Sequence, residues 1–188
     1  MIFLIRLLFF DSYACRFYKG THTGVMRLEE FLRKETKNYT RNAWVLKYDI
    51  QKFFDSIDHN ILKDLLFKKV TDSNTKWLLK NVINSFSKSE NTGLPLGNVT
   101  SQLFANLYLN EFDQYIKHKL KIKYYIRYCD DFLIISKDEE FFKSLIPRIL
   151  NFLNENLKLV LHPKKQKYEK SHEALIFLAI FYCLILKS

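Results

Sequence analysis

Apolar residues recur along the chain at two spacings. At the helical spacing, Leu28, Phe31 and Leu32 line one side of residues 25–37 and charges line the other. Asp58 stands ahead of Ile61, Leu62, Leu65 and Leu66, which predicts a capped helix. Asp72 or Ser73 starts another helix, running through Trp77, Leu78 and Val82 to about Phe86. The loop Gly93-Leu94-Pro95-Leu96-Gly97 precedes a long helix from Asn98 or Thr100, with Phe104, Tyr108 and Phe112 at four-residue spacing and Leu103 and Leu107 beside them. Asp138 caps a last helix whose first turn holds Glu139 and Glu140, favourable to the helix dipole, and Pro147 predicts a kink in it.

At the strand spacing, Trp44 to Ile50 reads as a buried strand with Asp49 at its end. Tyr124 to Cys129 and Phe132 to Ile135 flank Asp130-Asp131 and predict a β-hairpin with the two acids as its turn. Leu157–Leu161, Gln166–Lys170 and Ala174–Ile180 read as further short strands. The fold expected is α+β, an antiparallel sheet with helices packed on one face.

A length of 188 residues suits one domain, or one domain with an incomplete second. The formal net charge of +10 favours a polyanionic partner, although an anionic membrane surface would suit the same sign. Cys15, Cys129 and Cys183 form no CxxC pair and the five histidines no HxxxH pair, which argues against a disulfide framework and a zinc site. A reducing, cytoplasmic setting is the default reading. The apolar run Met1–Phe10 is too short to span a bilayer and carries Arg6 within it, so it reads as a buried segment or the edge of a longer domain.

The chemistry gathers at the acids. A primed two-residue turn favours Asn-Gly or Gly-containing pairs, and two like charges at a hairpin tip repel. A divalent cation would remove that repulsion. Asp49 lies about 80 residues earlier in the chain, so only tertiary pairing of its strand with the hairpin could bring it to Asp130 and Asp131. Three carboxylates would then surround one or two Mg²⁺ ions, and two such ions about 3.5–4 Å apart serve in-line phosphoryl transfer. Oxygen donors select Mg²⁺ over zinc, with Mn²⁺ as a substitute.

Three ordered segments carry a family resemblance. Asp49-Ile50-Gln51-Lys52-Phe53-Phe54-Asp55-Ser56-Ile57-Asp58-His59 resembles motif A of reverse transcriptases. Gly93-Leu94-Pro95-Leu96-Gly97-Asn98-Val99-Thr100-Ser101-Gln102 through Asp113 resembles motif B, and Tyr128-Cys129-Asp130-Asp131 resembles motif C. The resemblance implies a polymerase palm that adds dNTPs to a DNA or RNA primer on an RNA template. It implies catalysis by Asp49, Asp130 and Asp131, and metal ligation by these residues and Ile50. The segment from Tyr13 to His22 is similar to the fingers segment that meets the triphosphate, which points to Arg16 as the clamp with Lys19 as a second candidate. Leu159 to Lys165 resembles motif D, with Lys165 preferred over Lys164 as proton donor to the leaving pyrophosphate. Phe177-Leu178-Ala179 resembles motif E, with Ala where Gly is usual.

Phe54 matches the steric-gate position that favours deoxyribose, and without the resemblance it would read as core. Gly97 permits close approach of backbone to nucleic acid, and Leu96 and Gln102 complete the substrate-binding candidates. Leu96 stands where bacterial group II intron enzymes usually carry Gln, which resembles the enzymes of diversity-generating retroelements. The implied organisation is partial fingers at 1–42, a palm at 43–182 with a fingers-type insertion near 60–92, and a cut end at 183–188. The thumb is expected to be absent, which leaves room for an accessory protein or a separate thumb-bearing segment. Two other readings compete with the active polymerase: a non-catalytic nucleic-acid-binding remnant, and a membrane-surface protein with no specific motif behind it.

Overall fold

The computed structural model describes residues 8–16, 18–162 and the backbone of 167–170. Lys164, Lys165, Cys183 and the strand expected at Ala174–Ile180 lie outside the described residues. In chain order the elements are α1 (Thr21–Glu35), β1 (Trp44–Asp49), α2 (Phe53–Ser56), α3 (His59–Phe67), α4 (Ser73–Asn84), α5 (Val99–Gln114), β2 (Tyr124–Tyr128), β3 (Asp131–Ser136), α6 (Glu139–Leu157) and β4 (Lys167–Lys170). A π-helical turn at Tyr115–Lys119 follows α5. The strands form one sheet in the order β2-β3-β1-β4, and each neighbouring pair is antiparallel. The chain is therefore the α+β protein that its patterning predicts.

Strand alternation divides the sheet between two cores. Leu46, Tyr48, Tyr125, Phe132 and Ile134 face the larger one, filled by Leu62 and Leu66 of α3, Phe104, Tyr108 and Phe112 of α5, and Phe142, Ile149 and Leu153 of α6. Phe112 meets Phe132 edge-on with ring centroids 5.0 Å apart, a geometry that adds roughly 0.5–1.5 kcal/mol beyond simple burial. Val45, Leu133, Ile135, Tyr124 and Ile126 face the other way, onto Leu28, Phe31 and Leu32 of α1. Helices thus cover one face as expected, and α1 adds a cover on the opposite face.

Local signals hold where they depend on neighbours in sequence. Asp58 accepts from the amides of Asn60 and Ile61 at the start of α3, and Asp72 accepts from Thr75 at the start of α4. Asp138 accepts from Glu140 at the start of α6, which continues through Pro147 to Leu157. The helix expected from Asp72 or Ser73 forms as α4. Trp77, Leu78 and Val82 are exposed, and Ile83 is the buried side chain of α4, because this peripheral helix packs mainly against α3. One other expectation needs correction: the strand expected at Leu157–Leu161 does not form. Leu157 ends α6, Lys158 turns the chain at φ 51°, and Leu161 makes a single bridge to Ile50.

A buried ion pair joins the two layers. Arg127 on β2 is wholly buried and donates from Nε and Nη2 to the two carboxylate oxygens of Asp113 on α5, at 2.8 and 2.7 Å. The Tyr125 hydroxyl donates to Asp113 Oδ1 at 2.6 Å, and Arg127 Nη1 donates to Asn106 Oδ1 at 3.2 Å. Removing one partner leaves the other charge buried and alone. Arg127→Met should therefore lower stability by about 3–5 kcal/mol, read from urea unfolding of the variant against the parent.

Candidate active site

β1 and β3 run antiparallel with Asp49 directly opposite Asp131, and Tyr128 pairs with Asp131 on the other side. The two-residue turn is thus Cys129-Asp130, and Asp131 already belongs to β3, so the turn sits one residue earlier than the one read from sequence. Cys129 supplies the positive φ, 54°, that the turn requires. A cysteine there is strained, and its carbonyl is held by Arg127 Nη1 at 2.7 Å. The Cys129 thiol is pushed up to about 12 by burial and then by the Asp130 charge, so it stays protonated.

Opposed residues of an antiparallel pair lie about 4.5–5.5 Å apart at Cα, and adjacent residues about 3.8 Å. Asp49, Asp130 and Asp131 are therefore gathered within about 10 Å at the main chain, as the sequence expectation required. Asp49 and Asp131 lie on the sheet face that carries Val45 and Leu133, opposite the larger core. Burial pushes the Asp131 carboxyl up to about 6; Lys47 pulls it back, while Asp130 and Asp49 push it further. Lys47 Nζ lies 3.4 Å from Asp131 Oδ1.

Among the described residues, no three His, Cys, Asp or Glu side chains form a ready-made metal cage. The donor set nonetheless fits a hard cation. It is all oxygen, crowded with like charge, and one member is held by an ammonium group where a cation would bind. Ile50 is buried beside Asp49, and its main chain bridges Leu161. The amide of His162 donates to Asp49 O at 2.9 Å and that of Gln51 to Val160 O at 2.9 Å, so the segment after α6 braces the strand end.

The remaining candidates divide. Phe54 is half-buried on α2, packed edge-on against Phe53 at 5.4 Å. Leu96 is 75% exposed, Gly97 has φ +83° with open space around a built Cβ, and Gln102 is half-buried in the first turn of α5. Gly97 is needed for its backbone conformation, and among the described residues no close approach requires it. Arg16 Nη1 donates to the carbonyls of Phe9 and Ser12 and to the Ser12 hydroxyl, so this part of the guanidinium holds its own loop. Lys19, pushed down to about 8 by burial and the Arg16 charge, lies over the Phe10 ring at 3.5 Å. Sequence reasoning missed Lys47 and the Arg127–Asp113 pair. The signal for Lys47 was a lysine two residues before Asp49 in an apolar strand, and for Arg127 an arginine inside an apolar strand run.

Comparison with known proteins agrees with this arrangement. A family profile described as "Reverse transcriptase (RNA-dependent DNA polymerase)" matches residues 4–180. Protein YkfC of Escherichia coli (strain K12) is 25% identical over 89% of this chain and 53% of its own length. The group II intron-encoded protein LtrA of Lactococcus lactis subsp. cremoris is 29% identical over 60% of this chain and 18% of its own length. The chain thus spans about half of the first relative and less of the second. Among solved structures, apo telomerase from Candida tropicalis, truncated from its C-terminal domain, superposes with a TM-score of 0.66 at 14% identity, covering 85% of this chain and 36% of that one. That likeness shows a shared palm-like fold.

The Asp131 environment gives a pH test. The unfolded carboxyl releases its proton near 3.8, and the folded one holds it to about 6. Between those values the folded state carries the extra proton, so stability falls as pH rises, by up to about 3 kcal/mol across the window. Urea unfolding in chelator from pH 4 to 7 should show this fall in the parent and lose it in Asp131→Asn; equal slopes would mean that the shift is not there.

Proposed function

Because the chain belongs to the reverse transcriptase family, whose profile matches nearly its whole length, we propose that it carries the catalytic palm of an RNA-directed DNA polymerase that adds dNTPs to a primer on an RNA template. The observation that carries this reading is the register of Asp49 against Asp131, with Asp130 in the turn beside them. Asp49, Asp130 and Asp131, with the main-chain oxygen of Ile50, would hold two Mg²⁺ ions or Mn²⁺ in their place. Bound there, the ions supply activation of the attacking hydroxyl and neutralisation of charge on the leaving oxygens.

The chain's own residues do the positioning. β1 and β3 fix two carboxylates on one face, and the Arg127-held turn fixes the third. The Arg16–Lys19 loop is tied to β2 through the Tyr13 amide, which donates to Arg127 O at 2.9 Å, and offers positive charge to a triphosphate. Phe54 supports a wall against a ribose 2′-hydroxyl. Exposed Leu96 and the left-handed Gly97 form a loop open to nucleic acid ahead of Gln102. The net charge of +10 suits a nucleic-acid track. Among the described residues no helix is long and apolar enough to cross a membrane.

Primer extension by the 188-residue chain on a primed RNA template tests the reading. Addition should require Mg²⁺ or Mn²⁺, and Asp130→Asn should lower it by roughly a thousandfold, the rate equivalent of the several kcal/mol that metal charge supplies. Retained activity in that variant would remove the site assignment. Phe54→Ala should raise ribonucleotide use relative to dNTPs, and Leu96→Gln should reduce errors opposite template adenine by supplying a positioned hydrogen-bonding group. Unchanged sugar choice would return Phe54 to a packing role, and an unchanged error spectrum would remove the argument for a retroelement-like motif B.

A further inference from the structure

Lys47 is the unexpected residue of the central strand. β1 is paired on both sides, with β3 and with β4, so Lys47 does not stand at a sheet edge where lysines ordinarily serve. Its side chain is only 12% exposed. Strand periodicity puts it on the same face as Asp49, and the register puts Asp131 diagonally across from it. Its Nζ then reaches Asp131 Oδ1 at 3.4 Å, with the Asp131 side chain 21% exposed. An ordinary surface ion pair would leave both partners largely in water, where the attraction is weak. Here the ammonium group holds a largely buried carboxylate on which the charges of Asp130 and Asp49 also act.

We propose that Lys47 is the built-in counter-ion of this carboxylate cluster and that, by holding Asp131, it sets how tightly the cluster takes a divalent cation. The inference rests on the reading that Asp49, Asp130 and Asp131 hold such a cation. A dication and an ammonium a few ångströms apart repel strongly at the effective dielectric of a partly buried site. Binding therefore requires Lys47 to give up Asp131 and swing its flexible stem away. The cluster is kept from full self-repulsion without metal, and the metal site is weakened by the same contact. Lys47 is thus a positioning residue: it acts on the cation through Asp131 and the local charge, and need not touch the nucleotide.

The test is direct binding of Mn²⁺ alone to the whole chain, followed by electron paramagnetic resonance. Lys47→Met keeps most of the stem and removes the charge, and should tighten Mn²⁺ binding by about tenfold or more. Lys47→Arg keeps the charge and should stay near the parent. Asp131→Asn should weaken binding, identifying the site. In the unmutated protein, acylation of Lys47 read by mass spectrometry should speed up on adding Mg²⁺, because the amine is released from its ion pair; this measurement stands even if Lys47→Met fails to fold. Mn²⁺ binding that needs Asp131 but is unaltered or weakened in Lys47→Met would overturn the role of Lys47 and leave the metal site standing. Lys47 acylation indifferent to Mg²⁺ would overturn it equally. Absence of saturable, Asp131-dependent Mn²⁺ binding in the parent would overturn both readings together.

Discussion

The bidentate pair of Arg127 and Asp113 is the constraint on which the arrangement hangs. Both side chains are wholly excluded from solvent, and the guanidinium is used in three directions at once. It binds α5 to β2, it reaches Asn106 about two turns earlier on the same face of that helix, and it holds the carbonyl of Cys129 at the hairpin turn. Asn106 in turn donates to Ala14 O at 3.1 Å, and the main chain of Arg127 pairs with Asp11 and Tyr13. The segment before α1, the long helix and the acidic turn are therefore registered against one buried charge. Such pairs contribute less to net stability than to a unique geometry, since an apolar replacement of the whole pair is often as stable. In this fold that geometry is what keeps a non-glycine residue in a left-handed turn beside Asp130.

What the pair holds in place is an electrostatically unfavourable end of a sheet. Asp49 and Asp131 face each other across two strands, Asp130 adjoins them, and burial raises the cost of charge on Asp131. A structure built for stability alone would place neutral or opposite charges there. The cost is carried by the surrounding core, where the aromatic rings of Tyr125, Phe112 and Phe132 interlock beneath the hairpin. Lys47 offsets part of it from the neighbouring strand. Local rules of pairing and turn chemistry are thus broken together at one place, as happens at functional sites.

The sheet also separates duties by face. One side meets α3, α5 and α6 in the larger core; the other meets α1 and carries the acids at its end. The loop of Arg16 and Lys19 and the loop of Leu96 and Gly97 belong to the polypeptide flanking this arrangement, with cations in the first and exposed backbone in the second. The family match, over residues 4–180, takes in all of the described residues.

The sequence alone determined the α+β class, the capped starts at Asp58, Asp72 and Asp138, the strand ending at Asp49 and the hairpin carrying Asp130 and Asp131. Each of these depends on periodicity or on a hydrogen bond between residues two or three positions apart, so the information is local. Its ordered motifs also carried the family. Tertiary structure decided the rest. The buried side of α4 is set by its neighbour, since apolar spacing shows which residues could be buried but not whether another element arrives to bury them. The turn shifted by one residue because its register is set by pairing with β1 and by the hold of Arg127 on Cys129. Lys47 and Arg127 were illegible as partners because each meets its carboxylate across two different elements, β1 to β3 for Lys47 and β2 to α5 for Arg127. Only the folded sheet brings those charges into contact, and the energy of a charge is set by what surrounds it in space.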